Sequence, residues 1–138
     1  MMTNTPCTLY NAYEKDGRTF YERTVLQDVF WDGAFSGGGT GKRVKNEQTG
    51  RIFVPFSVFS QGKGFLLPKE WAATEGKTTA FTLKPGDYLV KGICEIEFGP
   101  DHPIRHMAQE QDEVVCISSV QTRDFGSFSL CHWEIGGV

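Results

Sequence analysis

Residues 36–43 read Ser-Gly-Gly-Gly-Thr-Gly-Lys-Arg, and a glycine run ending in Gly-Lys raises phosphate chemistry. A P-loop needs G-x-x-x-x-G-K-[ST] between a strand and a helix, so that backbone N–H groups at the helix N-terminus hold the phosphate. Counting back from Gly41-Lys42 puts Ser36 where the first glycine belongs, and Arg43 stands where the Mg²⁺-binding hydroxyl belongs. The residues that follow, "VKNEQTG", carry no amphipathic helix pattern. The motif fails on composition and on context. What the stretch does offer is charge: Lys42, Arg43, Lys45 and Arg51 cluster, offset by Glu47. Such a run could reach a phosphate backbone or an acidic surface on a neighbouring subunit, or simply be solvated.

Other chemistry-bearing residues are scattered. His102 and His106 are four apart, the spacing that sets two metal ligands on one helix face, but Pro103 directly follows His102 and places it at or before a helix start. His132 follows Cys131, and in a strand these two side chains point to opposite faces. Cys7, Cys94, Cys116 and Cys131 include no C-x-x-C pair and sit in apolar, strand-like contexts, which reads as buried thiols acting as small hydrophobes. A zinc set of Cys116, Cys131, His102 and His106 lacks paired spacing. Cys116 or Cys131 with His132 lacks the surroundings of a cysteine nucleophile. Glu95 and Glu97 share a strand parity, the pattern of a solvated face more than of an acid/base pair. The expectation is no enzyme, no metal and no cofactor.

The elements that must carry these residues read as β. Eleven phenylalanines and 16 glycines in 138 residues favour short strands joined by tight turns. The net charge of −3 argues against a broadly basic nucleic-acid binder. No apolar run approaches the roughly 18 residues of a membrane helix, and the start of the chain shows no basic segment followed by an apolar one. We expect no membrane partner and a chain made in the cytosol.

Strands are expected at 7–13 and 19–31 around the Asp16-Gly17 hairpin signal. The second should be bulged, because no single period-2 phase holds along it. Residues 32–50 read as a long flexible Gly-rich loop. "RIFVPFSVF" (51–59) is a strand, and Pro55 predicts an edge or a bulge there. Pro68 opens a helix of one or two turns that Gly76 stops. "KTTAFTL" (77–83) alternates as a strand. "YLVKGICEIEF" (88–98) is the cleanest strand signal, with Tyr88, Val90, Gly92, Cys94, Ile96 and Phe98 on the core parity. A helix could begin near Pro103, and 114–124 with 127–135 form a closing pair. The sum is a mainly β protein: one domain over 1–138, a β-sandwich or small barrel with one or two short helices and the long loop at about 32–50.

"TLYNAY", "RTVLQDVFW", "VPF", "LLPKEW", "FTLKPGDYLVKG" and "FGS…HWEIGG" occur in that order along nearly the whole chain. This pattern resembles an uncharacterised family of small proteins of tailed phages and prophages of Gram-positive bacteria, encoded among virion structural genes. The most telling stretches are "FTLKPGDYLVKG" (81–92) and "HWEIGG" (132–137); the "SGGGTGKR" loop lies outside the resemblance. It implies a virion component assembled in the bacterial cytoplasm, as a head–tail connector or neck protein (head-closure or adaptor) or a tail-completion protein. Such a component forms a homo-oligomeric ring and contacts portal, adaptor, capsid or tail proteins. A capsid accessory or decoration protein is an alternative. A third is an OB-like nucleic-acid-binding module in contact with phage DNA, using a small barrel, a basic loop and exposed aromatics. The candidate inter-subunit contact arm is Ser36, Gly37, Gly38, Gly39, Thr40, Gly41, Lys42, Arg43, Lys45 and Arg51. The edge of the Pro55 strand is a second candidate, for pairing with another chain.

Overall fold

The computed structural model describes residues 2–33, 50–75, 77–107, 111 and 113–138. Its strands are β1 (Thr5–Lys15), β2 (Arg18–Asp32), β3 (Arg51–Pro55), β4 (Gly64–Phe65), β5 (Ala80–Phe81), β6 (Tyr88–Lys91), β7 (Val114–Arg123) and β8 (His132–Gly137), and helix α1 spans Pro68–Ala73. Six of the strands close into an antiparallel barrel in the order β1-β2-β3-β8-β7-β6. The short parallel pair β4-β5 stands apart.

Local chemistry accounts for the longest hairpin. Asp16 and Gly17 both take positive φ, +57° and +75°, the conformation a two-residue I′ turn requires. β1 then pairs with β2 from Lys15↔Arg18 to Thr5↔Val29, with a register shift where Cys7↔Leu26 gives way to Thr5↔Val29. That extra residue in β2 is the expected bulge. It lets Leu26 and Val29, which differ in parity, both lie in the barrel core.

The interior is filled by Cys7, Leu9, Leu26, Val29, Trp31, Ile52, Val54, Leu89, Val115, Ile117 and Ile135. One end is plugged by rings from the 56–83 segment. Trp133 lies 4.4 Å from both Phe56 and Phe65, and Phe65 lies 5.6 Å from Phe81. A second apolar cluster of Tyr10, Val90, Cys94, Phe98 and Met107 forms separately. β1 therefore contributes to two clusters and has Cys7 to Asn11 all fully buried, where a half-buried strand would alternate.

Several expectations are corrected. β3 is not an edge: it pairs with β2 and with β8. Pro55 is its last residue, opposite His132 and beyond the β2 ladder, where a missing N–H leaves no gap in mid-strand. The edge-pairing role proposed for it has no edge to use. The 88–98 strand stops at Lys91, because Gly92 turns the chain with φ +87°. The parity assigned to the core packs in the second cluster, while Leu89 fills the barrel. Residues 77–83 hold a 3₁₀ turn (Lys77–Thr79) and only the two residues of β5. Near Pro103 the expected helix opens as a 3₁₀ turn, Ile104–His106, and Met107 follows in α-helical form before residues 108–110, which lie outside the described residues. The closing pair is β7-β8, but 128–130 form a 3₁₀ turn instead of strand.

Candidate functional site

The stretches "TLYNAY" and "FTLKPGDY" meet in a buried polar network. Asn11 Nδ2 donates to Asp87 Oδ2 at 2.7 Å and to the Thr82 carbonyl at 2.8 Å, and the Thr82 N–H donates back to Asn11 Oδ1 at 3.2 Å. Asp87 Oδ1 accepts from the Ala12 N–H at 3.0 Å and from Lys84 Nζ at 2.5 Å, while Lys84 also donates to the Ala12 carbonyl at 3.0 Å. Burial pushes the Asp87 carboxyl above its ordinary value, and Lys84, the Ala12 N–H and Asn11 pull it partly back.

The reason for this network lies in the barrel ladder. β6 pairs with β1 only over Cys7–Tyr10, so at Ala12 the two side chains of "KPGD" replace the missing strand. The same device serves β2, whose ladder to β3 covers only Phe30–Asp32. Upstream, Val25 N–H donates to Gln61 Oε1 at 2.9 Å, Gln27 N–H to the Phe59 carbonyl at 3.0 Å, and Lys63 Nζ reaches the Arg23 carbonyl at 2.9 Å. These polar groups are consumed in satisfying buried backbone, so the most recognisable motif of the chain is a structural lock. "HWEIGG" has a packing reason too. A Cβ on Gly137 would stand 2.3 Å from Val115 Cγ1 and 2.5 Å from the Cys116 carbonyl oxygen; one on Gly136 would meet Ser119 Oγ at 2.8 Å.

The chemistry-bearing residues do not converge. His102 and His106 have ring centroids 5.7 Å apart and Phe98 lies 4.8 Å from His102, but among the described residues no three His, Cys, Asp or Glu side chains gather in a metal-binding group. Cys131 Sγ lies 3.5 Å from the Ser127 carbonyl, whereas His132 Nδ1 contacts the Leu130 carbonyl at 2.9 Å. Cys7 is fully buried and its thiol is pushed far above its ordinary value by that burial, the opposite of what a thiolate nucleophile requires. An open groove of about 500 Å³ runs between the β1-β2 hairpin and the end of α1, past Tyr13, Glu22, Thr74 and Lys77. Lys77 in its wall is committed to the Thr74 and Trp71 carbonyls, at 2.7 and 3.1 Å.

Of the proposed contact arm, Ser36, Gly37, Gly38, Gly39, Thr40, Gly41, Lys42, Arg43 and Lys45 lie outside the described residues. Arg51 belongs to the sheet. It opens β3 and forms an ion pair with Glu134 at 3.3 Å, and Arg123 holds the same carboxylate at 3.2 Å. Beside this triad, Phe30 stacks on Phe53 at 5.8 Å, and Phe53 meets His132 at 5.4 Å.

The feature that sequence reasoning missed is the β7-β8 connector, residues 124–131. Phe125, Phe128 and Leu130 are all exposed, yet the segment is well held. Leu130 N–H bonds to the Ser127 carbonyl, Cys131 N–H to the Phe128 carbonyl, and Phe56 N–H to the Cys131 carbonyl. Phe128 packs edge-on to Phe56 at 6.3 Å, and Phe56 stands on Trp133. A signal was present: three large apolar residues set among Gly and Ser in "DFGSFSL" fit neither strand nor solvated turn.

No curated protein and no solved structure matches the chain. A family model described as "Family of unknown function (DUF6751)" matches residues 2–138. Spanning the lock, the glycine pair and the apolar connector alike, that match makes the chain a member of this family.

Proposed function

We propose that the protein is a structural component of a tailed-phage particle. In this reading it acts without catalysis as a head–tail connector, neck or tail-completion subunit that assembles with its own copies and with neighbouring virion proteins. The observation that carries the reading is the exposed apolar connector of Phe125, Phe128 and Leu130, in which Phe128 packs on Phe56 and Phe56 on Trp133. Large exposed apolar clusters suit protein–protein contact. The buried polar groups, which an enzyme would spend on substrate, are spent here on backbone. The resemblance of "FTLKPGDYLVKG" and "HWEIGG" to an uncharacterised phage and prophage family encoded among virion structural genes supports placing it in the particle.

A second reading, a nucleic-acid module, draws on Arg51 and Arg123 beside the Phe30–Phe53 stack. Glu134 already engages both cations, and the barrel closes with six strands where an OB-fold closes with five. The test is mass spectrometry of purified particles, followed by negative-stain imaging of particles made without the chain. The expected result is the protein in stoichiometric amount and particles with unattached or incomplete tails. Complete particles that lack the protein would overturn the proposal, and salt-sensitive DNA binding by the isolated chain would favour the second reading.

A further inference from the structure

We propose that a second copy of this chain covers the connector end of the barrel, with Phe125 and Phe128 at the centre of the interface. This names the partner of the assembling surface above and rests on that reading. Phe125, Phe128, Leu130 and Phe59 are 71%, 63%, 57% and 62% exposed. Phe59 follows three residues after Phe56, the ring on which Phe128 packs, and the Phe56 N–H bonds to the Cys131 carbonyl. At about 200 Å² of surface per large apolar residue, the exposed fractions of the three phenylalanines and Leu130 present on the order of 500 Å² of apolar area. A standard interface takes about 800 Å² from each partner, of which roughly 60% is apolar. The apolar area on offer therefore equals what one partner contributes to a stable dimer.

Three further features suit this occupant. Residues 125–131 and 55–62 contain no charged side chain, the depletion found at interface centres. The connector's N–H groups at Leu130 and Cys131 are already bonded within the connector, so covering it orphans neither donor. At the rim Arg123 and Asp124 carry opposite signs, so two like patches meet without net repulsion.

The test is sedimentation equilibrium of the full chain from about 1 μM to about 1 mM, the range that brackets weak to moderate self-association. Wild type should move from monomer to a defined oligomer. Phe125→Ser/Phe128→Ser should remain folded, since both positions are exposed, and each lost ring should weaken association roughly 30-fold. Phe128→Leu keeps an apolar side chain and should retain most of the association. A wild-type chain that stays monomeric throughout overturns the proposal, and so does an oligomer that the double variant leaves intact. A monomer that binds single-stranded DNA through Phe128 also overturns it, in favour of nucleic acid. Because the measurement uses no particles, such a failure is separate from the particle test above: a monomer found stoichiometrically in virions would keep the assembly role and lose only this surface.

Discussion

Removing Asp87 tests whether "KPGD" stands in for a strand. In Asp87→Ala three donors lose their acceptor: Asn11 Nδ2, the Ala12 N–H and Lys84 Nζ. They are not equally hurt. Asn11 Nδ2 keeps the Thr82 carbonyl, and Lys84, whose side chain is 23% exposed, keeps the Ala12 carbonyl and can hydrate. The Ala12 N–H has no such recourse. One orphaned backbone donor costs about 1–3 kcal/mol, and the loss of the bonds from Lys84 and Asn11 brings the total to about 3–5 kcal/mol. For a chain of this length that corresponds to a fall in Tm of roughly 10–20 °C. Asp87→Asn should fall between: its carbonyl oxygen still accepts from Ala12 and Lys84, but its amide faces the Asn11 amide donor to donor. Urea unfolding followed by tryptophan fluorescence measures this directly, with the midpoint moving and the slope unchanged. An alanine variant within about 1 kcal/mol of wild type would refute the surrogate-strand argument.

Other outcomes follow from the same geometry. Burial raises the Asp87 carboxyl above its ordinary value of 3.8, so the folded state holds that proton more tightly than the unfolded chain does. The proton-linked part of its contribution is complete below 3.8 and is lost as pH rises through the raised value, while the accepted hydrogen bonds remain; the stability gap between wild type and Asp87→Ala should narrow, without closing, over that window in pH-dependent urea titrations. Gly137→Ala drives a methyl into Val115 and the Cys116 carbonyl and should cost about 3 kcal/mol, whereas Gly64→Ala, with open space around it, should stay within about 0.5 kcal/mol. The Thr82 hydroxyl is buried without a hydrogen-bond partner among the described residues. Thr82→Val should therefore be neutral or stabilising by about 1 kcal/mol in a thermal melt.

Much of the architecture was legible along the chain because it depends on neighbours in sequence. Asp16-Gly17 specifies its turn by φ alone, Pro68 opens α1 in place, and the broken alternation of 19–31 is the bulge itself. The 88–98 stretch misled because alternation reports which side chains share a face, not whether a strand lies alongside. Past Gly92 the alternating Cys94 and Phe98 pack in the second cluster without pairing. The candidate site was less legible than the fold. The Gly-rich run stands out by its composition, whereas the connector's apolar residues, set among Gly and Ser, are shown to be surface only by the fold.

A β-rich chain, its tight turns, its short helix and its bulge follow from backbone preference within a few residues and so are written locally along the chain. That the sheet closes, that β1 is buried along Cys7–Asn11, and that Asn11 meets Asp87 across 76 positions depend on how distant segments pack. Whether a polar residue binds a partner or completes a ladder is settled by which distant backbone it faces. Whether a phenylalanine is core or surface is settled by whether the closed barrel has room for it.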